Sequence, residues 1–407
     1  MHILLIHQAF AALDEAGGTR HIEFARYLAQ KGDQITIICS PVSYLTGRSR
    51  GEKITLLERQ NDEPGITIIR TYTYPALHKT FVHRVFSFLS FMVSSFIVGL
   101  SVRNVDIVWG TSPPIFQGVT GWLLAKLKRV PYLFEVRDLW PAFAIAVGVL
   151  KNPILIRLSL WLETFLYRQA DRVVVNSPGY IEHVRKYGAN KVDFVANSAD
   201  IDMFSPGRDG SAFRNKHQLN GCFVVLYAGA HGLSNDLDVV LEAAELIRDH
   251  KKIRIVFIGD GKEKSRLQSL AAKKKLDNVL FLPPVPKKEI ADVFNGADVC
   301  LAILKPIELY KTTYPNKVFD YMAAGKPVIL VIDGVIREVV EKAGAGKFSS
   351  PGDSMELAKK IIEFSENPEV AKAMGQAGRI CVEKNFNRKM MAEKMHEVLL
   401  NTRRKNG

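Results

Sequence analysis

Lys305, Lys311 and Lys317 fall around two prolines, Pro306 and Pro315, and Lys317 is followed by a single acid, Asp320. Lysines placed so can stabilise a phosphate leaving group as negative charge develops on it. A carboxylate at Asp320 can accept from a ribose or sugar hydroxyl. The stretch that carries them, YKTTYPNKVFDYMAAGKPVI (Tyr310–Ile329), interrupts an apolar region. It resumes as a helix and stops at Gly325 before a new strand. The lysines by themselves also suit a solvated basic loop.

Four more loops hold groups of the same kind. In EAGGTRHIEFARYL, Gly17 and Gly18 precede a helix from about Thr19 to Lys31. Glycines there let backbone amides approach a ligand, and a helix N-terminus attracts anions. Arg20 sits in the first turn, where a cation is unfavourable unless an anion lies close by. The loop is not GxGxxG, and no acid ends the second strand, ITIICSP, so the nicotinamide-dinucleotide pattern is absent. In FEVRDLWP, Glu135, Arg137 and Asp138 suit sugar or phosphate recognition, or an internal Arg–Asp pair that ties down the loop. In YAGAHGLSND, Gly229 and Gly232 lead into a helix capped by Ser234 or Asn235. His231 is a polar group in that loop, and a lone histidine is more often structural. Asp236 and Asp238 belong to the first helical turn, where they complement the macrodipole better than they would hold a metal. Gly259 and Gly261 bracket Asp260 at a strand end, which a tight turn explains.

These loops all follow short apolar strands that alternate with amphipathic helices, the mark of a parallel sheet covered by helices. HILLIH, QITIICS, GITIIRTY, VDIVWG, YLFEV and RVVVNS are the strands of the first half. The pattern restarts at FVVLYAG and continues through RIVFIGDG, VLFLPPV, DVCLAIL and PVILVI. The boundary falls near residues 197–210, rich in Asp, Ser, Pro and Gly. The expectation is two doubly wound Rossmann-like α/β domains facing across a cleft: residues 1–200, and residues 205–385. A helix over 386–407 returns to the first. Ligands bind outside the carboxyl ends of such strands.

The chain has 407 residues, 47% hydrophobic and 24% charged, with a formal net charge of +13. That surplus favours anionic partners without choosing among them. Cys39, Cys222, Cys300 and Cys381 are far apart with no CxxC pair, and read as buried thiols in a reducing compartment, not as disulfide or zinc ligands. The N-terminus reads as a strand, not a signal peptide, which points to the cytoplasm. An uncharged span lies between Arg84 and Arg103. Ser87, Ser90, Ser94 and Ser101 share one helical face of it, so a buried crossover helix is the first reading. The second is a helix on an anionic membrane surface with basic flanks at Lys79, Arg84 and Arg103, its contact tested at Phe88 and Phe91.

The segment FDYMAAGKPVI, preceded by YPNK, resembles the nucleotide-binding segment of the retaining family 4 glycosyltransferases, which have the GT-B fold. The GGT, RDLWP, YAGAHG and IGDG loops fall in that family's order along nearly the whole chain. GGTRHIEFARYL with TSPPIFQG and EVRDLWP is similar to the bacterial branch of aminosugar transferases of surface-polysaccharide assembly, such as the L-fucosamine transferases. The resemblance implies that Asp320 holds the nucleotide ribose and that Gly17 and Gly18 lie beside the donor diphosphate. It places Arg137 where many members have a histidine near the transferred sugar. Gly229 and Gly232 match the loop that begins the second nucleotide domain. Two departures stand out. The family's acid pair is spaced by seven residues, and counting back from Asp320 reaches Thr312. The usual Arg and Lys of the second domain's first loop fall near Ala230 and Asn235. Phosphate charge then falls to Lys317 first, with Lys305, Lys311 and Arg20 behind it.

The expectation is a glycosyltransferase with Arg137, Asp138 and Lys317 as its catalytic candidates. Gly17, Gly18, Arg20, Gly229, His231, Gly232, Gly259, Lys305, Lys311, Lys317 and Asp320 are its donor-site candidates. It would move an N-acetylated hexosamine or deoxy-hexosamine from a UDP-sugar, with retention, to a polyprenyl-diphosphate-linked saccharide at the cytoplasmic face of the inner membrane. The product would be O-antigen or capsule. No cofactor and no metal are expected. Two other readings share some of these features: a UDP-N-acetylglucosamine 2-epimerase of the same fold, and a basic nucleic-acid-binding protein. The dispersed Lys and Arg residues and the absence of a recognition motif argue against nucleic acid as a partner.

Overall fold

The computed structural model describes the chain outside residues 16, 44–46, 48, 50–55, 76–80 and 404–407. The chain divides into two compact units, each described by itself. The first comprises Met1–Ala12, Gly17–Ala196 and Lys389–Gly407; the second comprises Leu13–Ala16 and Asn197–Arg388.

The first unit runs β1 (His2–Ile6), α1 (Arg20–Gln30), β2 (Gln34–Cys39), β3 (Leu57–Glu63), β4 (Ile66–Thr71), α2 (Phe81–Ser101), β5 (Ile107–Ser112), α3 (Phe116–Lys128), β6 (Tyr132–Val136), α4 (Ala142–Ala146), α5 (Pro153–Gln169), β7 (Arg172–Val175), α6 (Ile181–Lys186) and β8 (Val192–Phe194). The sheet order is β3-β4-β2-β1-β5-β6-β7-β8. Every pairing is parallel except β3 with β4, which is antiparallel. Strand β3, LERQNDE, is too polar for a hydrophobic pattern to reveal, and it sits on the sheet edge. The inner strands are continuous apolar runs because both of their faces are buried. Strand order reverses at β1, between β2 and β5, so the carboxyl ends of β1 and β5 form a switch point.

Helix α2 joins β4 to β5 but buries only one stripe, Ser87, Phe91, Ser95 and Gly99, spaced by four. Ser94 donates to the Tyr72 carbonyl (2.7 Å), and Ser90 accepts from the Tyr74 amide (2.9 Å). Ser101 is exposed, so it does not share that buried face. Only those four residues of Val82–Ser101 are buried, and Val82, Phe86, Val93, Ile97 and Leu100 are exposed. The helix is thus a crossover with one bare apolar face rather than a buried element. Phe91 is fully buried and Phe88 half-buried, so neither reports on that outer face. Lys79, an expected basic flank, lies outside the described residues.

The second unit runs α7 (Ser211–Lys216), β9 (Phe223–Ala228), α8 (Leu237–Leu246), β10 (Ile253–Ile258), α9 (Lys264–Lys273), β11 (Val279–Leu282), α10 (Lys287–Asn295), β12 (Val299–Ile303), α11 (Asn316–Ala323), β13 (Val328–Val331), α12 (Val335–Ala343), β14 (Gly346–Phe348), α13 (Ser354–Glu366) and α14 (Pro368–Asn385). Its parallel sheet has the order β11-β10-β9-β12-β13-β14, with a switch point between β9 and β12. The last helix, α15 (Arg388–Arg403), joins the first unit. There His396 pairs with Asp33 (2.9 Å), Arg403 pairs with Asp106 (3.0 Å), and Met391, Met395 and Leu399 are buried. Cys39 and Cys300 are buried, whereas Cys222 and Cys381 are only partly so; all four are free thiols.

Candidate active site

In the second unit the site residues collect at the β9–β12 switch point. Strand β9 ends at Ala228, and Gly229 follows with φ of +150°, a conformation that favours glycine. A Cβ there would lie 2.7 Å from the Lys317 Nζ, and a Cβ on Gly259 would lie 1.9 Å from the Gly229 carbonyl oxygen. The two glycines let three chain segments meet. Lys317, in the first turn of α11, sends its ammonium over the Tyr227 ring, 3.9 Å from the centroid. The Nζ is buried and has no hydrogen-bond partner among the described residues. Burial pushes its pKa down to about 7. A cation at a helix N-terminus, out of water and without a carboxylate, is the electrostatic complement of an anionic ligand.

The other expected cations are differently occupied. The Lys311 ammonium lies 2.9 Å from Glu308 and 3.8 Å from Asp333, on the surface. Lys305 follows β12, and its amide donates to the Ser234 carbonyl (2.9 Å). The Asp320 carboxylate is buried and engaged: Lys287 Nζ is 2.5 Å away, and Asn316 Nδ2 donates to it at 3.1 Å. Lys287 stands 33 positions upstream, a distance at which no local pattern reveals the pair. Thr312, where the family pattern has an acid, donates to the Leu309 carbonyl (2.6 Å).

His231 is fully buried, not poised on an open loop. Its ring meets those of Tyr227, Phe257 and Phe281 with centroids 6.0–6.1 Å apart, and neither ring nitrogen has a hydrogen-bond partner among the described residues. Burial, then the neighbouring Lys264 and Lys317 charges, pushes its pKa down to about 4, so it is neutral at pH 7. Lys264 itself donates to the carbonyls of Gly259 (2.7 Å) and Leu282 (2.9 Å), closing the ends of β10 and β11. Neither Ser234 nor Asn235 caps α8; the cap position is Asp236, with φ of +45° and no side-chain cap bond. Ser234 Oγ instead accepts from Tyr310 Oη (2.5 Å). Asp238 forms a bidentate pair with Arg266, both contacts 2.7 Å. Among the described residues no group of three or more His, Cys, Asp or Glu could hold a metal ion.

In the first unit the centre is Glu135, at the end of β6 and completely buried. Arg20 Nε donates to it at 2.9 Å, His21 Nε2 lies 2.8 Å away, and Trp109 Nε1 donates at 3.1 Å. Burial pushes the carboxyl up, but His21 and Arg20, with Arg137, outweigh it and hold the group well below the usual carboxylate range. Arg20 also donates to the carbonyls of Ala196 (2.7 Å) and Val195 (2.8 Å). Glu135 of the same unit thus supplies an anion beside Arg20. Arg137 donates to the Pro113 carbonyl (3.2 Å), and Asp138 is exposed beside it. Gly17, with φ of +153°, and Gly18 are both exposed before α1. The spacing did not single out His7, buried with its ring 4.1 Å from that of His21.

Two family models match the chain in succession: a glycosyl transferase 4-like domain over residues 17–198 and glycosyl transferases group 1 over residues 211–381. Among curated relatives, the probable glycosyltransferase WbjE of Pseudomonas aeruginosa is 26% identical over 75% of this chain and 77% of its own length. The putative colanic acid biosynthesis glycosyl transferase WcaI of Escherichia coli is 24% identical over 76% of this chain and 78% of its own. Among solved structures, sucrose-phosphate synthase of Thermosynechococcus elongatus superposes with a TM-score of 0.78 at 19% identity, covering 98% of both chains. HepE of Anabaena, solved with UDP-glucose, gives 0.74 at 17% identity over 98% of this chain and 100% of its own. Those structural likenesses carry the fold. With the two family matches, they make this chain a glycosyltransferase of the GT-B type. Relatives such as WcaI, by its name, serve in polysaccharide biosynthesis.

Proposed function

We propose that the protein transfers an N-acetylated hexosamine or deoxy-hexosamine from a UDP-sugar to a polyprenyl-diphosphate-linked saccharide, with retention, in the assembly of O-antigen or capsule. The observation that carries this reading is the buried Lys317 ammonium beside Gly229, which has no hydrogen-bond partner among the described residues. A diphosphate supplies the missing negative charge, and Lys317 then stabilises the departing UDP. Asp320, held by Lys287 at 2.5 Å, is assigned to the nucleotide ribose. Arg137 and Asp138 are assigned to the transferred sugar and its acceptor. No metal or cofactor enters this scheme. The choice of UDP is supported by the HepE structure, which was solved with UDP-glucose. The choice of surface polysaccharide is supported by the name of WcaI. An L-fucosamine-type specificity is the narrowest form of the reading and rests on the motif resemblance alone.

The bare face of α2 supports a peripheral seat on an anionic membrane, on the cytoplasmic side where a lipid-linked acceptor is met. Amphipathic helices with one apolar face lie in the interface rather than across it.

The test is thermal stabilisation of the purified protein by UDP, GDP, ADP and NAD. A ligand at about 100 times its Kd adds roughly 2.7 kcal/mol to stability. The expected result is a shift selective for UDP and lost in Lys317→Met. A GDP-selective shift changes the donor class, and no shift with any nucleotide overturns the reading.

A further inference from the structure

From Gly229 to Asn235 the loop after β9 carries no charged side chain at pH 7, its His231 being neutral. It brings no cation of its own to an anionic ligand, so the cation comes from elsewhere in the second unit. Among the described residues, three tyrosine hydroxyls meet this stretch. Tyr321 Oη, on α11, accepts from the Ala228 amide (3.0 Å) and donates to the Ala228 carbonyl (3.2 Å). Tyr227 Oη donates to the Ala230 carbonyl (2.7 Å). Tyr310 Oη donates to Ser234 Oγ (2.5 Å), and the Ser234 carbonyl accepts from the Lys305 amide (2.9 Å).

The sheet makes room for the first of these. Pairing of β9 with β12 ends at Leu226 and Cys300, two residues before Ala228. Tyr321 takes up the two polar groups of Ala228 beyond that end and fixes the tip of the strand. Tyr227 and Tyr310 then hold the loop beyond it, one from β9 and one from the turn Glu308–Thr312. All three tyrosines are buried. A loop already held in this way gives up less conformational freedom when a ligand arrives.

Tyr227 makes a second contact. Its ring face lies 3.9 Å from the Lys317 ammonium. A Cβ at Gly229 would lie 2.7 Å from Lys317 Nζ and 3.6 Å from Tyr227 Oη, so cation, phenol and loop meet at one point. A π face attracts an ammonium without taking up its N–H donors, as a carboxylate would. The ring thus holds the cation in place and leaves it open to a phosphate.

We propose that Tyr227 and Tyr310 are positioning residues of the donor site. Their hydroxyls hold residues 228–234 in the form that receives the nucleotide diphosphate, and the Tyr227 ring aims Lys317 at it. The proposal rests on the reading of Lys317 as the cation of the donor phosphate.

The test is calorimetric titration of UDP into the full-length protein from pH 6 to 9, well below the melting temperature of each variant. Tyr227→Phe and Tyr310→Phe are each expected to weaken UDP about 3- to 10-fold at every pH. Tyr227→Phe keeps the ring, so affinity still starts to fall near pH 7, as in the wild type. Tyr227→Leu removes the ring. The free ammonium then gives up its proton at lower pH, and the fall starts below pH 7. A tyrosine that only filled the core would not move this onset. Ser234→Ala is expected to match Tyr310→Phe, and the double variant to lose no more than either. Wild-type affinity in both Phe variants, with UDP still lost in Lys317→Met, overturns this proposal and leaves the donor reading standing. Additive losses at Tyr310 and Ser234 overturn the part given to Tyr310. An unmoved onset in Tyr227→Leu overturns the part given to the ring; if that variant does not fold, the two Phe variants decide. A wild type that binds no UDP ends the donor reading and this proposal with it.

Discussion

The Lys317 ammonium sits 3.9 Å above the Tyr227 ring and close to Gly229, with no carboxylate among the described residues hydrogen-bonded to it. The aromatic face offsets part of its desolvation, by about 0.5–2 kcal/mol, and leaves the rest unmet. Lys317→Met is expected to raise the stability of the ligand-free protein by about 1–3 kcal/mol while abolishing stabilisation by UDP. Urea denaturation with and without UDP reads both effects. A variant that loses stability in the absence of nucleotide contradicts the assignment.

The same group predicts a pH dependence. Its pKa of about 7 lies below that of an unfolded lysine, so the unfolded chain binds more protons between about pH 7 and 10.5. Stability of the free protein therefore gains from this group as pH rises through that window. A bound diphosphate favours the ammonium, so UDP affinity falls as pH rises above 7. The fall approaches about tenfold per unit if one proton is taken up on binding. Calorimetric titrations from pH 6.5 to 9 check the direction, and a flat profile excludes Lys317 from the phosphate site.

Asp320 and Lys287 are predicted to depend on each other. Removing the acid leaves Lys287 with its 2.5 Å partner gone, and breaking a buried pair costs about 3–5 kcal/mol. Asp320→Ala is thus expected to lose stability for a reason unrelated to ribose. Adding Lys287→Met should recover part of the loss. A double-mutant cycle in urea measures the coupling; additive effects would show that the pair is not coupled.

Acid should weaken the first unit through Glu135 and His21. The depressed Glu135 contributes stability above the ordinary glutamate range and loses it as pH falls below about 4–5. His21 is pushed down to about 4 by burial, against the pull of Glu135, so the unfolded chain binds the extra proton between about pH 6.5 and 4. Both trends run the same way. His21→Gln is expected to flatten the loss between pH 6.5 and 4 in denaturant titrations. An unchanged slope would remove His21 from the account.

The outer face of α2 predicts membrane binding without a folding defect. Phe86→Ser with Ile97→Ser, both exposed, should release the protein from vesicles containing anionic lipid and leave its melting temperature within a few degrees. Undiminished co-sedimentation of the double variant would refute the peripheral seat.

The fold was legible because buried parallel strands such as LLIH and VVLYA are continuous apolar runs, and the helices between them are amphipathic. Strand β3 escaped because it is a polar edge strand, paired on one side only. The outer face of α2 was hidden for the opposite reason: an apolar helix looks the same in sequence whether neighbours cover it or not. At the site, the position of Arg20 implied a nearby anion, but a residue 115 positions away supplies it. Long-range partners of that kind, Glu135 for Arg20 and Lys287 for Asp320, leave no local spacing. The burial of His231 left no local sign either, because two of the three rings around it, Phe257 and Phe281, come from other strands.

Helix α15 has a consequence for how the protein is made. Its salt bridges to Asp33 and Asp106 join it to the starts of β2 and β5. A ribosome that has finished residues 1–196 has therefore released a sheet whose final covering helix is almost two hundred codons away. The first unit waits, with apolar surface uncovered, while the whole second unit is synthesised. Prematurely ended chains lack the closing helix however correct the rest is. The oldest domain is completed only once residues 389–403 have been made, so a message truncated before them yields a product that proteases can recognise.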